Sequence, residues 1–233
     1  MESEFALLSQ RYAEVQERIA TAATKAGRQP EEVRLVAVSK THPASTVGAA
    51  LDAGMHVFGE NRPQELAVKA AEYPQAHWCA IGGLQRNKAK LIAEFADEFQ
   101  ALDSIKVARA LNNRLDDFGR TLDVFVQVNT SAEPQKGGTT PAELPTFLTE
   151  LLPFQRLRVR GLMTMAANTT DEGAIRRSFA TLRELAATTE APDGMSLDDL
   201  SMGMSGDFEL AIAEGATTVR VGSAIFGHRD YNA

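Results

Sequence analysis

Lys40 is the residue of this sequence whose position first suggests chemistry. It directly follows residues 33–39, a short run rich in β-branched residues that predicts a buried strand. At the end of such a strand, burial would lower the pKa of the amine and supply the uncharged form that Schiff-base formation with an aldehyde requires. The alternative is an ordinary lysine that reaches solvent or pairs with a carboxylate such as Glu60.

Two motifs near the C-terminus predict an anion site. Ser205-Gly206-Asp207 precedes a predicted helix over residues 208–214, and its hydroxyl and free backbone amides would attract an anion. Gly222-Ser223 follows the last predicted strand and offers a second set of backbone donors. Each motif has a simpler interpretation, helix capping for the first and a tight turn for the second. Because they follow neighbouring strands, the two together favour a phosphate group.

Arg220 helps to distinguish the possible ligands. A strand-end lysine beside a phosphate site fits a phosphorylated sugar, as in an aldolase, or pyridoxal phosphate. Strand alternation places Arg220 on the same face as Gly222, where its guanidinium could pair with a pyridine nitrogen. The alternative is a structural arginine satisfied by a carboxylate or carbonyl of the barrel.

The elements that must position these residues alternate between short apolar runs and helical patterns. Helices are predicted over residues 2–27, 44–53, 105–111 and 174–187, and strands over 33–39, 56–58, 78–81, 98–102, 122–128, 157–161, 196–201 and 217–221. This alternation implies right-handed βαβ units and a parallel sheet. Eight such units in about 200 residues predict an α/β fold, a closed (β/α)8 TIM barrel with an extra N-terminal helix. A doubly wound open sheet is the alternative.

Composition narrows the class of protein. The 233 residues, 44% of them hydrophobic, fit one domain over 1–233, with residues 1–27 packing on the barrel. A net charge of −7 argues against a nonspecific nucleic-acid binder. A single cysteine, Cys79, and the lack of a signal pattern or a membrane-spanning apolar run predict a cytoplasmic protein. The four histidines, His228 among them, and Cys79 show no metal-ligand spacing, so no metal is expected.

Six motifs in this sequence lie at the ends of predicted strands. They are VAVSKT at 36–41, FGEN at 58–61, IGGLQRNK at 81–88, RGLMTM at 160–165, LSMGMSGD at 200–207 and VRVGSAIFG at 219–227. Taken in order, they resemble the pyridoxal-phosphate homeostasis protein family, from about Val33 to the C-terminus. One segment departs from the family. Members commonly carry WHFIGHLQ, whereas residues 78–85 here read WCAIGGLQ, so that Cys79, Ala80 and Gly83 replace two histidines and a phenylalanine.

The resemblance implies a barrel like the N-terminal domain of alanine racemase, the fold type III of enzymes that use pyridoxal 5'-phosphate (PLP). It implies that Lys40 holds PLP as a Schiff base, that Arg220 faces the pyridine nitrogen and that Asn61 lies near the ring. The phosphate would be bound by Ser205, Gly206, Gly222 and Ser223. We expect a monomer that acts in intracellular PLP homeostasis, handles PLP and related B6 vitamers, supplies apo PLP enzymes and binds neither nucleic acid nor membrane.

A one-domain amino-acid racemase is the alternative function. An arginine at the pyridine nitrogen weakens the ring as an electron sink, and racemases of this barrel type add a second base, a tyrosine from a C-terminal β-domain. The tyrosines here are Tyr12, Tyr73 and Tyr231, none at a predicted strand end, and the chain ends soon after its eighth predicted strand. We therefore expect a binding protein without efficient turnover. A Schiff-base aldolase would have no use for Arg220.

Overall fold

Eight short runs of β-branched and aromatic residues form strands that pair in parallel and in chain order. The computed structural model describes residues 4–131, 133 and 136–227. The eighth strand pairs with the first, which closes the sheet into a barrel. The predicted (β/α)8 barrel is confirmed, and the open sheet is wrong. The strands are β1 Arg34–Val38, β2 Val57–Glu60, β3 His77–Ala80, β4 Glu98–Leu102, β5 Leu122–Gln127, β6 Leu157–Met163, β7 Asp199–Met204 and β8 Thr218–Val221.

Helices connect these strands and cover the outside of the barrel. They are α1 Glu4–Lys25, α2 Ala44–Asp52, α3 Pro63–Glu72, α4 Ala89–Phe95, α5 Ile105–Asp117, α6 Leu144–Leu151, α7 Glu172–Thr188, α8 Phe208–Ala213 and α9 Ser223–Phe226. The predicted N-terminal helix forms, although residues 2 and 3 lie outside the described part, and it packs against α8 and α9. Among the described helices, none combines the length and the apolar character needed to cross a membrane.

The seventh strand lies three residues beyond its predicted position. The prediction over 196–201 is wrong, because β7 is Asp199–Met204. Ser196 N donates to the Val159 carbonyl of β6 (3.0 Å), but Ser196 Oγ donates to Asp198 Oδ2 (2.7 Å) and accepts from Asp198 N (3.0 Å), a local turn that precedes the regular strand. Two other strands, β2 and β6, run two residues further than predicted, to Glu60 and Met163.

The interior of the barrel has an apolar side and a polar side. Val36, Val38 and Cys79 pack together with the partly buried Val57 and Ile81 on the apolar side. The polar side chains of the interior are buried as well: Glu98, Gln100, Ser201, Thr218 and Arg220. Barrel interiors are usually filled by branched apolar residues, and buried polar groups require hydrogen-bond partners. The polar side therefore has to form a connected network.

The close contact between β6 and β7 can be tested at Gly161. A Cβ atom at this position would lie 1.8 Å from the carbonyl oxygen of Asp199, a backbone atom that cannot move without separating the strands. We expect Gly161→Ala to lower the free energy of unfolding by about 1–3 kcal/mol, measured by urea denaturation. Gly83→Ala is the control, since a Cβ there meets no atom within 4 Å. Wild-type stability of Gly161→Ala would contradict this register.

Candidate functional site

A cavity of about 700 Å³ opens where the carboxyl ends of the strands meet. Its volume is in the range of small-molecule sites, and its position is where barrels of this type bind ligands. All seven residues predicted to bind the cofactor line this cavity: Lys40, Asn61, Ser205, Gly206, Arg220, Gly222 and Ser223. The structure thus brings the predicted set together, while the role of each residue stays a prediction.

A buried ion-pair cluster holds the segment that carries Lys40. The amine of Lys69 donates to the Ser39 carbonyl (2.8 Å), to Glu60 Oε1 (2.6 Å) and to Glu65 Oε1 (2.9 Å). Burial raises the pKa of Glu60, and the hydrogen bond from Lys69 opposes this effect. The ion-pair partner of Glu60 is therefore Lys69, and the cluster fixes the backbone just before Lys40.

The residue after Lys40 adopts an unusual backbone conformation. Thr41 has a φ of 69°, in the left-handed region that a β-branched residue rarely occupies. Its amide donates to Glu65 Oε1 at 2.6 Å, which helps to hold this conformation. Strained residues of this kind persist where surrounding contacts determine them, often at functional sites. Both neighbours of Lys40 are thus held by hydrogen bonds.

Ser205 joins the loops that follow β7 and β8. Its Oγ accepts hydrogen bonds from the amides of Gly222 (3.1 Å) and Ala224 (3.4 Å). The simpler interpretation of the motif as a helix cap holds in part: Asp207 occupies the N-cap position of α8, but its side chain makes no capping hydrogen bond, and its Oδ1 accepts from Met204 N (2.6 Å) instead. The two predicted anion-binding motifs therefore meet through a direct hydrogen bond at the edge of the cavity.

Arg220 combines both interpretations that the sequence left open. It lines the cavity and is also satisfied by the barrel, donating from Nη1 to Ser201 Oγ (2.6 Å) and from Nη2 to the Thr164 carbonyl (2.9 Å). Burial lowers the pKa of Arg220 to about 10, and the charge of Asp207 opposes this effect. Arg220 is therefore a buried cation at neutral pH.

The groups around the cavity suit a ligand that carries a phosphate and a reactive carbonyl. The hydroxyls of Ser205 and Ser223, the amine of Lys40 and the guanidinium of Arg220 supply donors and positive charge. Asp103 is the one carboxylate among the described lining residues, and burial raises its pKa. The donor set therefore fits PLP, whose aldehyde would react with an amine and whose phosphate needs N–H and O–H donors.

Comparison with known proteins agrees with this donor set. The family model of the alanine racemase N-terminal domain matches residues 11–230. The pyridoxal phosphate homeostasis protein of Escherichia coli strain K12 is 41% identical over 230 residues, which cover 94% of this chain and 96% of that protein. The protein of the same name from Pseudomonas aeruginosa is 42% identical and covers 97% of both chains. The chain belongs to the pyridoxal phosphate homeostasis protein family.

Solved structures place this family member among known barrels. PipY of Synechococcus elongatus, solved with PLP bound, is 37% identical with a TM-score of 0.83 and covers 94% of this chain and 100% of PipY. Alanine racemase of Streptomyces lavendulae has a TM-score of 0.74 at 18% identity and covers 92% of this chain but 57% of the racemase. At that identity the racemase shows the barrel fold alone.

Several residues that line the cavity were not predicted to bind a ligand. His42 lies two residues after Lys40, and its ring packs on Phe226 with a centroid distance of 5.3 Å. Asp103 also lines the cavity and directly follows β4, so its position after a strand, the signal that singled out Lys40, could have identified it. The lining residues that were not predicted to bind include His42, Asp103, Gln127, Gly137, Met163, Met165, Met204 and Gly227.

A second polar cluster lies at the amino-terminal end of the barrel. His77, Cys79 and Glu98 bring their ligand atoms within 4.8 Å of one another, which the sequence spacing failed to predict; His228 lies outside the described residues. Both carboxylate oxygens of Glu98 contact the guanidinium of Arg34, and His77 Nε2 lies 2.9 Å from Glu98 Oε1. Arg34 supplies the cation that neutralises Glu98, so this cluster is an ion-pair network.

The contact with Glu98 predicts how His77 titrates. Hydrogen bonding to Glu98 raises the pKa of His77, and burial opposes this effect. A raised pKa in the folded state contributes stability that is fully present below the unfolded value of about 6.5 and is lost as pH rises through the folded pKa. We expect an NMR titration to give His77 a raised pKa, and Glu98→Gln to lower it.

Asp97→Asn is the control for this titration. Asp97 Oδ2 lies 3.9 Å from His77 Nδ1, so the loss of its charge should move the pKa less than Glu98→Gln does. A His77 pKa at its ordinary value in the wild type, or one that Glu98→Gln leaves unchanged, would contradict the assignment.

Proposed function

We propose that this protein binds PLP, attached covalently to Lys40, and serves in PLP homeostasis inside the cell. The observation that carries the proposal is that one cavity is lined by Lys40, by Arg220 and by two loops with anion-binding motifs, which Ser205 ties together. A lysine, a buried cation and hydroxyl donors in one cavity match the aldehyde, the ring and the phosphate of PLP. The PLP-bound PipY structure supports this assignment.

Lys40 would hold the aldehyde carbon, with its backbone position set by the ion pairs around Lys69. The hydroxyls of Ser205 and Ser223 and the amide of Gly206 would donate to the phosphate. Gly222 would take part through its amide, which donates to Ser205 Oγ and so orients that hydroxyl. An added Cβ at Gly206 would meet no atom within 4 Å, so the backbone there is accessible to a ligand.

Asn61 and Arg220 would contact the pyridine ring. When bound, PLP supplies an electron-withdrawing ring. Arg220 is a cation that can donate but not accept hydrogen bonds, so it would keep the pyridine nitrogen unprotonated. This weakens the ring as an electron sink and favours holding the cofactor over turning over substrates.

We propose further that residues 1–233 form one domain and that the protein is a cytoplasmic monomer. In this function it would buffer PLP and related B6 vitamers and pass PLP to apo PLP enzymes. The contacts of α1 with α8 and α9, which flank the predicted phosphate site, support the inclusion of the N-terminal helix in the domain.

We propose that the protein lacks efficient turnover, in line with the name that its relatives carry. The described tyrosines contact groups outside the cavity: Tyr12 Oη accepts from Gln16 Nε2 (2.8 Å), and the ring of Tyr73 faces Gly48. Tyr231 lies outside the described residues. Among the described residues that line the cavity, His42 and Asp103 are the groups that could act as the second base of a racemase.

Covalent attachment to Lys40 can be tested by trapping. After incubation with PLP and reduction with borohydride, mass spectrometry should find one added cofactor on the peptide that contains Lys40. Lys40→Ala should lose this adduct, while Lys90→Ala should keep it because Lys90 is exposed on α4. A wild-type protein that takes up no PLP would refute the proposed function.

The racemase alternative can be tested with the PLP-loaded protein. Incubated with L- or D-alanine in deuterated water, it should exchange the α-proton and racemise the amino acid far more slowly than the roughly 1–10³ per second of typical enzymes. Turnover within that range, abolished by His42→Ala or Asp103→Asn, would establish a racemase instead.

A further inference from the structure

A chain of four buried polar side chains crosses the interior of the barrel. Arg220 Nη1 donates to Ser201 Oγ (2.6 Å), Ser201 Oγ donates to Gln100 Oε1 (2.7 Å), and Gln100 Nε2 donates to Glu98 Oε2 (2.9 Å). None of the four residues is more than 4% exposed. Glu98 begins β4 at the amino end of the barrel, whereas Arg220 lines the cavity at the carboxyl end. The chain therefore connects the two ends.

The link between Ser201 and Gln100 spans the barrel. Ser201 belongs to β7, whose neighbours are β6 and β8, and Gln100 belongs to β4, whose neighbours are β3 and β5. A hydrogen bond between strands that do not pair has to cross the interior. Strand alternation puts Gln100 on the same face of β4 as Glu98, which completes the connection.

The donors and acceptors of the chain permit a single direction. An ionised Glu98 only accepts, so Gln100 has to present its N–H to Glu98 and its carbonyl oxygen to Ser201. Ser201 then gives its one proton to Gln100 and keeps its lone pairs for Arg220, which only donates. Every hydrogen bond thus points away from the guanidinium and toward the carboxylate.

The two ends of the chain carry opposite charges, the guanidinium of Arg220 and the carboxylate of Glu98. Burial raises the pKa of Glu98, but hydrogen bonds from His77 and Arg34 outweigh this effect and hold the pKa well below its usual range. The hydrogen-bond acceptors of Arg220 in the described residues are neutral, the Ser201 hydroxyl and the Thr164 carbonyl. A buried cation is costly unless it is compensated. Asp207 supplies a nearby opposite charge, and the polarised chain that ends on Glu98 fixes the Ser201 hydroxyl as an acceptor for the guanidinium.

We propose that Ser201 and Gln100 are positioning residues for the cofactor, which fix the guanidinium of Arg220 at the cavity and couple it to Glu98. The inference rests on the proposed function, since it assigns the two residues to the group that would contact the pyridine ring. Neither residue lines the cavity, so each acts on the cofactor through Arg220. The loss of Ser201 would remove one of the two hydrogen bonds that hold the guanidinium, and the loss of Gln100 would release the Ser201 hydroxyl that accepts one of them.

A double-mutant cycle on PLP affinity tests this coupling. Ser201→Ala and Gln100→Leu should each raise the dissociation constant of PLP about tenfold, because a hydrogen bond that orients a charged group is lost or released. In an Arg220→Ala background the same changes should leave the constant unchanged within about twofold. Ser201→Thr, which retains the hydroxyl, should bind like the wild type. Ser178→Ala is the control, since Ser178 is buried on α7 and donates to the Ala174 carbonyl.

The absorbance of the bound cofactor gives a second readout of the same variants. Ser201→Ala and Gln100→Leu should shift the absorption maximum in the direction that Arg220→Ala does, while Ser178→Ala should not. Equal effects of Ser201→Ala with and without Arg220 would overturn the inference. Covalent trapping of PLP on Lys40 is measured separately in the wild type and in each variant. A wild type that gives no adduct would contradict the proposed function, whereas a wild type that gives the adduct with no coupling between Ser201 and Arg220 would contradict this inference alone.

A measurement on the wild type without PLP does not depend on whether the Ser201 and Gln100 variants fold. In protein labelled with ¹⁵N-arginine, the Nη–H signals of Arg220, assigned with Arg220→Lys, should be resolved and protected from solvent exchange. Averaged Nη–H signals that exchange rapidly would show a rotating guanidinium and would overturn the inference.

Discussion

The pairing of β1 with β8 is the contact on which the rest of the structure depends. Its register, from Arg34 opposite Thr218 to Ala37 opposite Val221, brings the end of the first strand beside the end of the last. A Cβ at Gly222 would lie 3.1 Å from the carbonyl oxygen of Val38, so the two ends are in close contact. Without this closure, Lys40 and the Gly222-Ser223 loop would lie at separate edges of a sheet. Barrel closure is thus what assembles the cavity.

Hydrogen bonds hold the backbone around Lys40, where the cofactor would be attached, whereas the backbone at Gly206 is open to a ligand. Around Lys40, Lys69 and Glu65 hold the flanking backbone. At the other side, Ser205 Oγ fixes the amides of the loop after β8. Gly206, by contrast, faces open space. The backbone of the site is therefore ordered when the protein folds, so ligand binding loses less conformational entropy.

The polar side of the barrel interior is difficult to explain by stability alone. Branched apolar residues fill such interiors at lower cost, because buried polar groups are destabilising unless every one is paired. Here Glu98, Gln100, Ser201 and Arg220 are paired along one chain that ends at the cavity. Together with the Thr164 carbonyl and the charge of Asp207, this chain stabilises the buried cation at the mouth of the barrel. The polar interior is therefore understandable as support for Arg220.

The sequence by itself determined the alternation of eight strands with helices and the position of Lys40 just after the first strand, because strand and helix periodicities are local properties of the chain. Closure of the sheet was decided by the pairing of β1 with β8. The sequence pattern misplaced β7 by three residues, at a point where Ser196 and Asp198 form a local turn before the regular strand begins. Only the tertiary structure decided the partners of buried groups: Lys69 for Glu60, the Gly222 amide for Ser205, and Ser201 for Arg220. The residues of the pair Gly222–Ser205 lie in different loops, and those of the pair Ser201–Arg220 lie on different strands. No local sequence pattern encodes the distance between such segments, because the fold of the barrel brings them together.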